Sequence, residues 1–201
     1  MSAFTIGQRA TLACIWEVTI PKPGNVHRGA DFDDVKFADF VLSAMAIRPA
    51  MDAAATGTPV GQTVLDAVEA TRAVVNTNTN LGTILLLAPL AAVPQECPLE
   101  TGIAEVLAGL GAADAESVYA AIRRAQPGGL GRVDSMDVTD LAPLDLRVAM
   151  RAAADRDLVA RQYAEGFAQL RQIVVPSLRR DLDQGESLTS AVIHTHVLLM
   201  S

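Results

Sequence analysis

The sequence predicts an all-α protein, a single domain over residues 1–201 built as a multi-helix bundle with functional loops at helix N-termini. A length of 201 residues suits one domain. Half of the residues are hydrophobic but only 4% are aromatic, and Ala, Leu and Val dominate, which favours closely packed helices over a sheet sandwich. Apolar residues also recur at helical spacing along most of the chain.

A first helix is predicted by apolar residues spaced four apart, at Ile6, Ala10, Cys14 and Val18. It should end near Pro21, because residues 21–25 read Pro-Lys-Pro-Gly-Asn, and two prolines with a glycine cannot continue a helix. The segment 21–25 is therefore predicted to be a rigid loop.

The next helices are predicted from the same kind of pattern. Asp33 and Asp34 suit the N-terminal cap of a helix whose apolar stripe begins at Phe37 and runs to about Ile47. Another amphipathic helix is predicted over Gln62–Val75, where apolar residues follow the helical repeat.

The most apolar helix is predicted to begin at Leu81. The polar segment Asn76–Asn80 leads directly into it, so the side chains of this segment should lie at a helix N-terminus. Pro89 removes one backbone donor and should kink the helix. The apolar run Leu81–Val93 is shorter than the roughly 20 residues that cross a membrane, so no membrane span is expected.

Further helices are predicted towards the C-terminus. Two short ones should cover Ile103–Leu110 and Ala115–Ala125, and Leu144–Leu182 should form one long helix or two. The glycine-rich segment Pro127–Gly131 is predicted to be a turn. It is not a phosphate-binding P-loop, because residues 132–134 supply neither the lysine nor the hydroxyl that such a loop needs.

Composition excludes some classes of function. The formal net charge is −7, so no broad basic surface for nucleic acid is expected. The N-terminus lacks the basic start and apolar run of a signal peptide, which predicts a cytoplasmic protein. Cys14 and Cys97 lie far apart without a neighbouring metal-ligating residue, so both are expected to be reduced and structural.

The loop after the first helix carries groups that could bind phosphate. Lys22 and Arg28 offer positive charge, Asn25 offers an amide, and exposed backbone N–H groups near Gly24 would add directional donors. The alternative is an exposed proline turn with ordinary surface cations.

Acidic residues provide a second candidate site. Asp31, Asp33 and Asp34 form a cluster suited to Mg²⁺, although Asp before an apolar run also suits a helix cap. Asp155 and Asp157 lie two apart, as do His194 and His196, a spacing that turns helical side chains about 200° away from each other. At most one of each pair can face a site; the alternative for the aspartates is pairing with arginines four residues away. The candidate metal ligands are Asp31, Asp34 and Asp155.

The Asn/Thr segment before Leu81 is the most informative polar stretch. A cap needs one polar residue, and residues 76–80 contain three Asn and two Thr. Their donors lie at the positive end of a helix, where an anion is stabilised. The candidate ligand-binding residues here are Asn78, Thr79, Asn80 and Gly82.

Several segments resemble one enzyme family, the triphosphoribosyl-dephospho-CoA synthases. Glu17 and the run Pro21–Val26, followed by Asp34, Phe37, Phe40, Ser43 and Ala44, resemble the first family signature. Residues 78–82, Asn-Thr-Asn-Leu-Gly, fall where the family usually carries Asn-Thr-His-Lys-Gly. Segments 155–163 and 192–196 are similar to a divergent branch of the family.

The resemblance implies an all-helical enzyme that moves the triphosphoribosyl group of ATP onto the ribose 2′-hydroxyl of 3′-dephospho-CoA and releases adenine. Attack at the anomeric carbon passes through an oxocarbenium-like state that a carboxylate can stabilise, and the resemblance implies Glu17 and Asp34 for this role. Lys22, Arg28 and the helix N-terminus at Asn80 would hold a triphosphate with its Mg²⁺. Lys22, Asp34 and Asn80 are then expected to line a single cleft.

This chain also departs from the family pattern. Asn80-Leu81 replaces the usual His-Lys, Phe32 stands where a His is expected, and the chain stops at Ser201 where a longer C-terminus is expected. Two other functions therefore stay open: a sister nucleotide-dependent transferase acting on a different cofactor precursor, and a catalytically inactive nucleotide-binding or assembly protein. A homo-oligomer is also left open.

Overall fold

The computed structural model describes residues 4–127 and 141–200, and within these ranges it is all-α, as predicted. The α-helices there are, in chain order, α1 (Ile6–Thr19), α2 (Phe37–Ala46), α3 (Arg48–Ala54), α4 (Val60–Val74), α5 (Leu81–Ala91), α6 (Leu99–Ala108), α7 (Ala112–Ala125), α8 (Leu146–Ala153), α9 (Leu158–Ala164), α10 (Val175–Asp183) and α11 (Leu188–Met200). The predicted turn over residues 127–131 falls almost wholly outside the described residues.

Two local predictions are wrong. The segment 144–182, predicted to form one long helix or two, is broken twice: Asp157 caps α9 by accepting the N–H groups of Val159 and Ala160 at 2.7 and 3.1 Å, and α9 is followed by Gly166 and Phe167 with left-handed φ values of 62° and 58°. A π-helical turn, Leu170–Val174, then leads into α10. Asp157 therefore acts as a helix cap, whereas the sequence had left open a surface pair with Arg161, four residues further on.

The cap of α2 also differs from the prediction. Lys36, not Asp33 or Asp34, precedes the first helical residue, and its N–H donates to the carboxylate of Asp39 at 2.9 Å. Asp31 accepts the N–H of Phe37 at 2.7 Å. Of the three aspartates at positions 31, 33 and 34, only Asp31 therefore caps α2, whereas the sequence predicted Asp33 or Asp34.

Helix α5 occupies the centre of the fold. It packs against α1, α3, α4, α6 and α9. Leu81, Ile84, Leu85 and Ala88 are buried along its length. An apolar helix gains stability when it is covered, and five of the other described helices pack against this one.

Two pairs of helices approach closely through a glycine. The N–H of Gly7 in α1 donates to Asp52 of α3 at 2.7 Å, and the N–H of Gly61 in α4 donates to Asp114 of α7 at 2.8 Å. A Cβ on Gly61 would come within 2.5 Å of the Asp114 backbone. Each contact therefore requires glycine, and each satisfies a backbone donor in the first turn of a helix.

A tyrosine compensates for the proline inside α5. The helix continues past Pro89, which has no N–H to donate to the carbonyl of Leu85 four residues earlier. The hydroxyl of Tyr163 in α9 donates to that carbonyl at 2.6 Å. Pro89 and Tyr163 are both buried, and burial raises the pKa of the tyrosine, which keeps its hydroxyl protonated as a donor.

No helix within residues 4–127 and 141–200 is long and apolar enough to span a bilayer. Cys14 and Cys97 are both free thiols, and Cys14 is buried. Burial, followed by the nearby charge of Glu17, raises the pKa of Cys14 to about 12, so this thiol stays protonated and unreactive.

The Tyr163 hydrogen bond gives a test of the core. We expect Tyr163→Phe to lower the free energy of unfolding by about 1–3 kcal/mol, because it leaves the buried Leu85 carbonyl without a partner. In a Pro89→Ala background, the restored N–H can satisfy the same carbonyl, so Tyr163→Phe should cost less. Urea unfolding of the two single variants, the double variant and the parent measures the coupling. Equal costs in both backgrounds would contradict this account.

Candidate functional site

A cavity of about 240 Å³ lies where the two polar segments of the sequence meet. Its walls come from the end of α1, the loop that follows, helix α2 and the start of α5. The residues that line it are Glu17, Asn25, Val26, Phe40, Asn78, Thr79, Asn80, Leu81, Gly82 and Thr83. The fold thus brings residues 17–26 together with residues 78–83.

The proline loop is shaped by a tight turn. Asn25 N–H donates to the carbonyl of Lys22 at 3.2 Å, and Gly24 adopts a left-handed φ of 79°. Pro before Gly at the centre of such a turn is the pattern of a type II turn, in which glycine supplies the positive φ. The turn places Asn25 on the cavity wall, while the buried side chain of Val26 anchors the loop.

Lys22 turns inward rather than towards the cavity. Its side chain is 6% exposed, and its ammonium group lies 3.1 Å from Glu17 Oε1. The same group donates to the carbonyls of Glu17 and Ile20 near the end of α1. Lys22 therefore binds the C-terminal end of α1, where a cation is favoured, and balances the charge of Glu17.

Glu17 is the acidic group of the cavity. Its contacts with Lys22 and with the amide of Asn25, the latter at 3.4 Å, both use Oε1. This arrangement fixes the carboxylate at the cavity wall, and within residues 4–127 and 141–200 Oε2 has no hydrogen-bond partner. The side chain is 44% exposed, so a ligand in the cavity can reach it.

The opposite wall is the N-terminal end of α5. Asn78 Oδ1 accepts the N–H of Leu81 at 3.1 Å, which satisfies one of the free donors of the first turn. Within the described residues, the N–H groups of Gly82 and Thr83 meet no protein acceptor. Free N–H groups at a helix N-terminus stabilise an anion.

Hydroxyl and amide contacts hold this wall in place. Thr79 shares a hydrogen bond of 2.6 Å with Ser43 of α2, whose hydroxyl also donates to the carbonyl of Asp39. Asn80 Oδ1 accepts the hydroxyl of Thr71 of α4 at 3.3 Å. The segment before α5 is therefore tied to both α2 and α4 before any ligand binds.

Other predicted site residues lie away from the cavity lining. Of the expected trio Lys22, Asp34 and Asn80, only Asn80 lines the cavity, so the expected single cleft is not found. Arg28 and Asp34 are exposed loop residues, and Gly24 is not part of the lining either. Among the residues that the structure describes, Glu17 supplies the only charged side chain on the lining.

The predicted metal ligands are not gathered into one cluster. Within residues 4–127 and 141–200, no three His, Cys, Asp or Glu side chains come together in a way that could hold a metal ion. Asp31 is engaged with the N–H of Phe37, and Asp155 is exposed between α8 and α9. Of the paired histidines, His194 faces Asp181 at 3.3 Å, a contact between α11 and α10.

Sequence reasoning missed four residues of the lining as site residues, one of them Leu81, the first residue of the apolar helix α5. Phe40 belongs to an apolar stripe and was assigned to helix packing, while Thr83 lies inside an apolar run. Val26 also follows the polar loop without a polar group of its own. Only the shared resemblance of Val26 and Phe40 to the first family signature pointed to them.

Comparison with known proteins identifies the family of the chain. The sequence model of the CitG family, ATP:dephospho-CoA triphosphoribosyl transferase, matches residues 3–201. The chain therefore belongs to this family of transferases. Comparisons with curated proteins and with solved structures found no match.

The placement of Lys22 changes what its substitution should do. We expect Lys22→Met to lower the free energy of unfolding by about 1–3 kcal/mol, because two carbonyls and Glu17 lose a buried charged donor. Thermal or urea unfolding measures this effect. Lys36→Met is a suitable control, since Lys36 is exposed beside the same loop. A Lys22 variant as stable as the control would show that the contacts at the end of α1 contribute little.

Proposed function

We propose that this member of the ATP:dephospho-CoA triphosphoribosyl transferase family transfers the triphosphoribosyl group of ATP to the ribose 2′-hydroxyl of 3′-dephospho-CoA. A bond forms between the acceptor oxygen and the anomeric carbon as the bond from that carbon to adenine breaks. The acceptor hydroxyl loses a proton and adenine leaves with one, so atoms and charge balance. The product is a precursor of a prosthetic group.

One observation carries the proposal: a carboxylate, Glu17, faces the N-terminal end of α5 across a single cavity. The two walls match the two ends of the donor substrate. Free N–H groups of Gly82 and Thr83 suit a phosphate chain, and a carboxylate suits the positive charge that develops at the anomeric carbon.

Glu17 is the proposed catalytic residue. Its Oε2 can accept the proton of the acceptor hydroxyl or lie beside the oxocarbenium-like carbon, while Oε1 is held by Lys22 and Asn25. Lys22 supports this role by fixing the carboxylate. The predicted phosphate contacts of Lys22 and Arg28, and the predicted catalytic role of Asp34, remain proposals that require these loop residues to approach the ligand.

Mg²⁺ is the proposed cofactor. Mg²⁺ bound with a nucleotide usually takes one or two carboxylates and completes its shell with phosphate oxygens and waters. Oε2 of Glu17 is reserved here for the acceptor hydroxyl, so phosphate oxygens, waters and the hydroxyl of Thr79 on the cavity wall would hold the ion. When bound, Mg²⁺ would neutralise part of the triphosphate charge. Asp31, Asp34 and Asp155 would each have to move to reach it.

A second function is favoured by the charges on the cavity wall. The described part of the lining has no cationic side chain, and Asn80 and Leu81, which replace the usual His-Lys, are both buried. This composition favours a sister transferase whose acceptor is a different cofactor precursor. A nucleotide-binding protein without catalysis is the remaining alternative.

A direct assay separates these functions. With ATP, Mg²⁺ and 3′-dephospho-CoA, the proposed activity releases free adenine and adds the mass of a triphosphoribosyl group to the acceptor, which chromatography and mass spectrometry detect. Adenine released only with another hydroxyl acceptor would favour the sister transferase. ATP binding in calorimetry without adenine release would favour the inactive protein, and neither binding nor release would refute all three.

Glu17→Gln tests the catalytic carboxylate. The amide can still accept from Lys22, so the fold should persist, while kcat should fall by roughly 10²–10⁴-fold, the usual contribution of an acid–base residue. Glu69→Gln, an exposed residue on α4, is the matched control. Asp34→Asn should be assayed beside it. If only the Asp34 variant loses activity, the catalytic role belongs to the loop before α2 instead.

A further inference from the structure

A buried amide at the start of α5 has one unused end. Asn80 is 9% exposed and lines the cavity, and its Nδ2 has no hydrogen-bond partner in the described part of the chain. Leaving a buried donor without an acceptor destabilises the folded state. Proteins keep such a group mainly where a ligand or a bound water completes it.

In the structure the hydroxyl of Thr71 is bonded to one end of the amide, and the other end is unused. This hydroxyl on α4 donates to Asn80 Oδ1 at 3.3 Å, which leaves the NH₂ end as the free group. Thr71 is 2% exposed and does not line the large cavity. It cannot touch a ligand there, so its influence must pass through Asn80.

We propose that Thr71 is a positioning residue that holds Asn80 with its NH₂ group as a donor for a phosphate oxygen at the N-terminus of α5. This inference rests on the proposed function and narrows it to one subsite. Asn80 Nδ2 is buried as well as unpartnered, so a small shift of this side chain on binding would bring it to the phosphate as a third donor beside the free N–H groups of Gly82 and Thr83. Three neutral donors at a helix N-terminus select an anion without any cationic side chain.

A buried water is the competing occupant. Thr71, Arg72, Asn78 and Asn80 also line a second cavity of about 10 Å³ behind the segment. That volume is at the lower limit for one water molecule. A water bonded to Asn80 Nδ2 would make Thr71 important for stability and irrelevant to ligand affinity, so the two possibilities differ in a measurable way.

The test compares two threonines of α4. Thr71→Val removes the hydroxyl that orients Asn80, and Thr63→Val removes a buried hydroxyl that donates only to the carbonyl of Pro59, away from the cavity. The probe is inorganic tripolyphosphate with Mg²⁺, titrated into the full chain by calorimetry. We expect Thr71→Val to raise the Kd about tenfold, the scale of one weakened hydrogen bond to a charged group. Thr63→Val should leave the Kd unchanged, and Thr71→Ser should restore it.

Asn80→Asp provides a second variant that does not depend on Thr71→Val being folded. It preserves the acceptor for the Thr71 hydroxyl and replaces the NH₂ group by a carboxylate oxygen, so tripolyphosphate binding should be lost.

Equal Kd values for Thr71→Val and Thr63→Val, or no binding by the parent chain, would overturn the inference. Because the probe needs no transfer step, subsite binding without adenine release would refute the proposed function and leave this inference standing. Normal adenine release with no effect of Thr71→Val on the Kd would refute this inference and leave the proposed function standing.

Discussion

The burial of α5 is the constraint on which the rest of the structure depends. This helix is apolar on every side, and each large side chain that it buries contributes roughly 1.5–3 kcal/mol. Surrounding it requires five other helices, and these must approach closely enough to exclude water. The N-terminal end of this helix, residues 78–83, lies beside the loop after α1, and the two segments line the same cavity.

Polar contacts between helices then fix the entry to α5. Ser43 and Thr79 join α2 to the segment, and Thr71 and Asn80 join α4 to it. These groups are buried or half-buried, so their hydrogen bonds have few competing partners in water. A ligand that binds here meets donors already in position, which lowers the ordering cost of binding.

Much of the fold follows from local sequence, and the site follows only in part. Helical spacing located α1, α4 and the start of α5, because an amphipathic or apolar face is encoded by neighbouring residues. The break at Asp157 escaped prediction because a charged residue can cap a helix or lie on its surface with the same local pattern. Lys22 is the clearest case at the site: its loop is visible in the sequence, but the direction of its ammonium group depends on where α1 ends. The pairing of Thr71 with Asn80 likewise exists only in three dimensions.

The hydrogen bond from Tyr163 to Leu85 joins residues 78 positions apart in the sequence. During synthesis, helices α1 to α7 leave the ribosome before Tyr163 does. The Leu85 carbonyl therefore lacks its native hydrogen-bond donor until α9 has been made. Until α9 docks, that side of α5 presents a bare acceptor and uncovered apolar surface. The first half of this protein is thus chemically incomplete as a folding unit, and the nascent chain carries its most apolar helix partly exposed until α9 arrives.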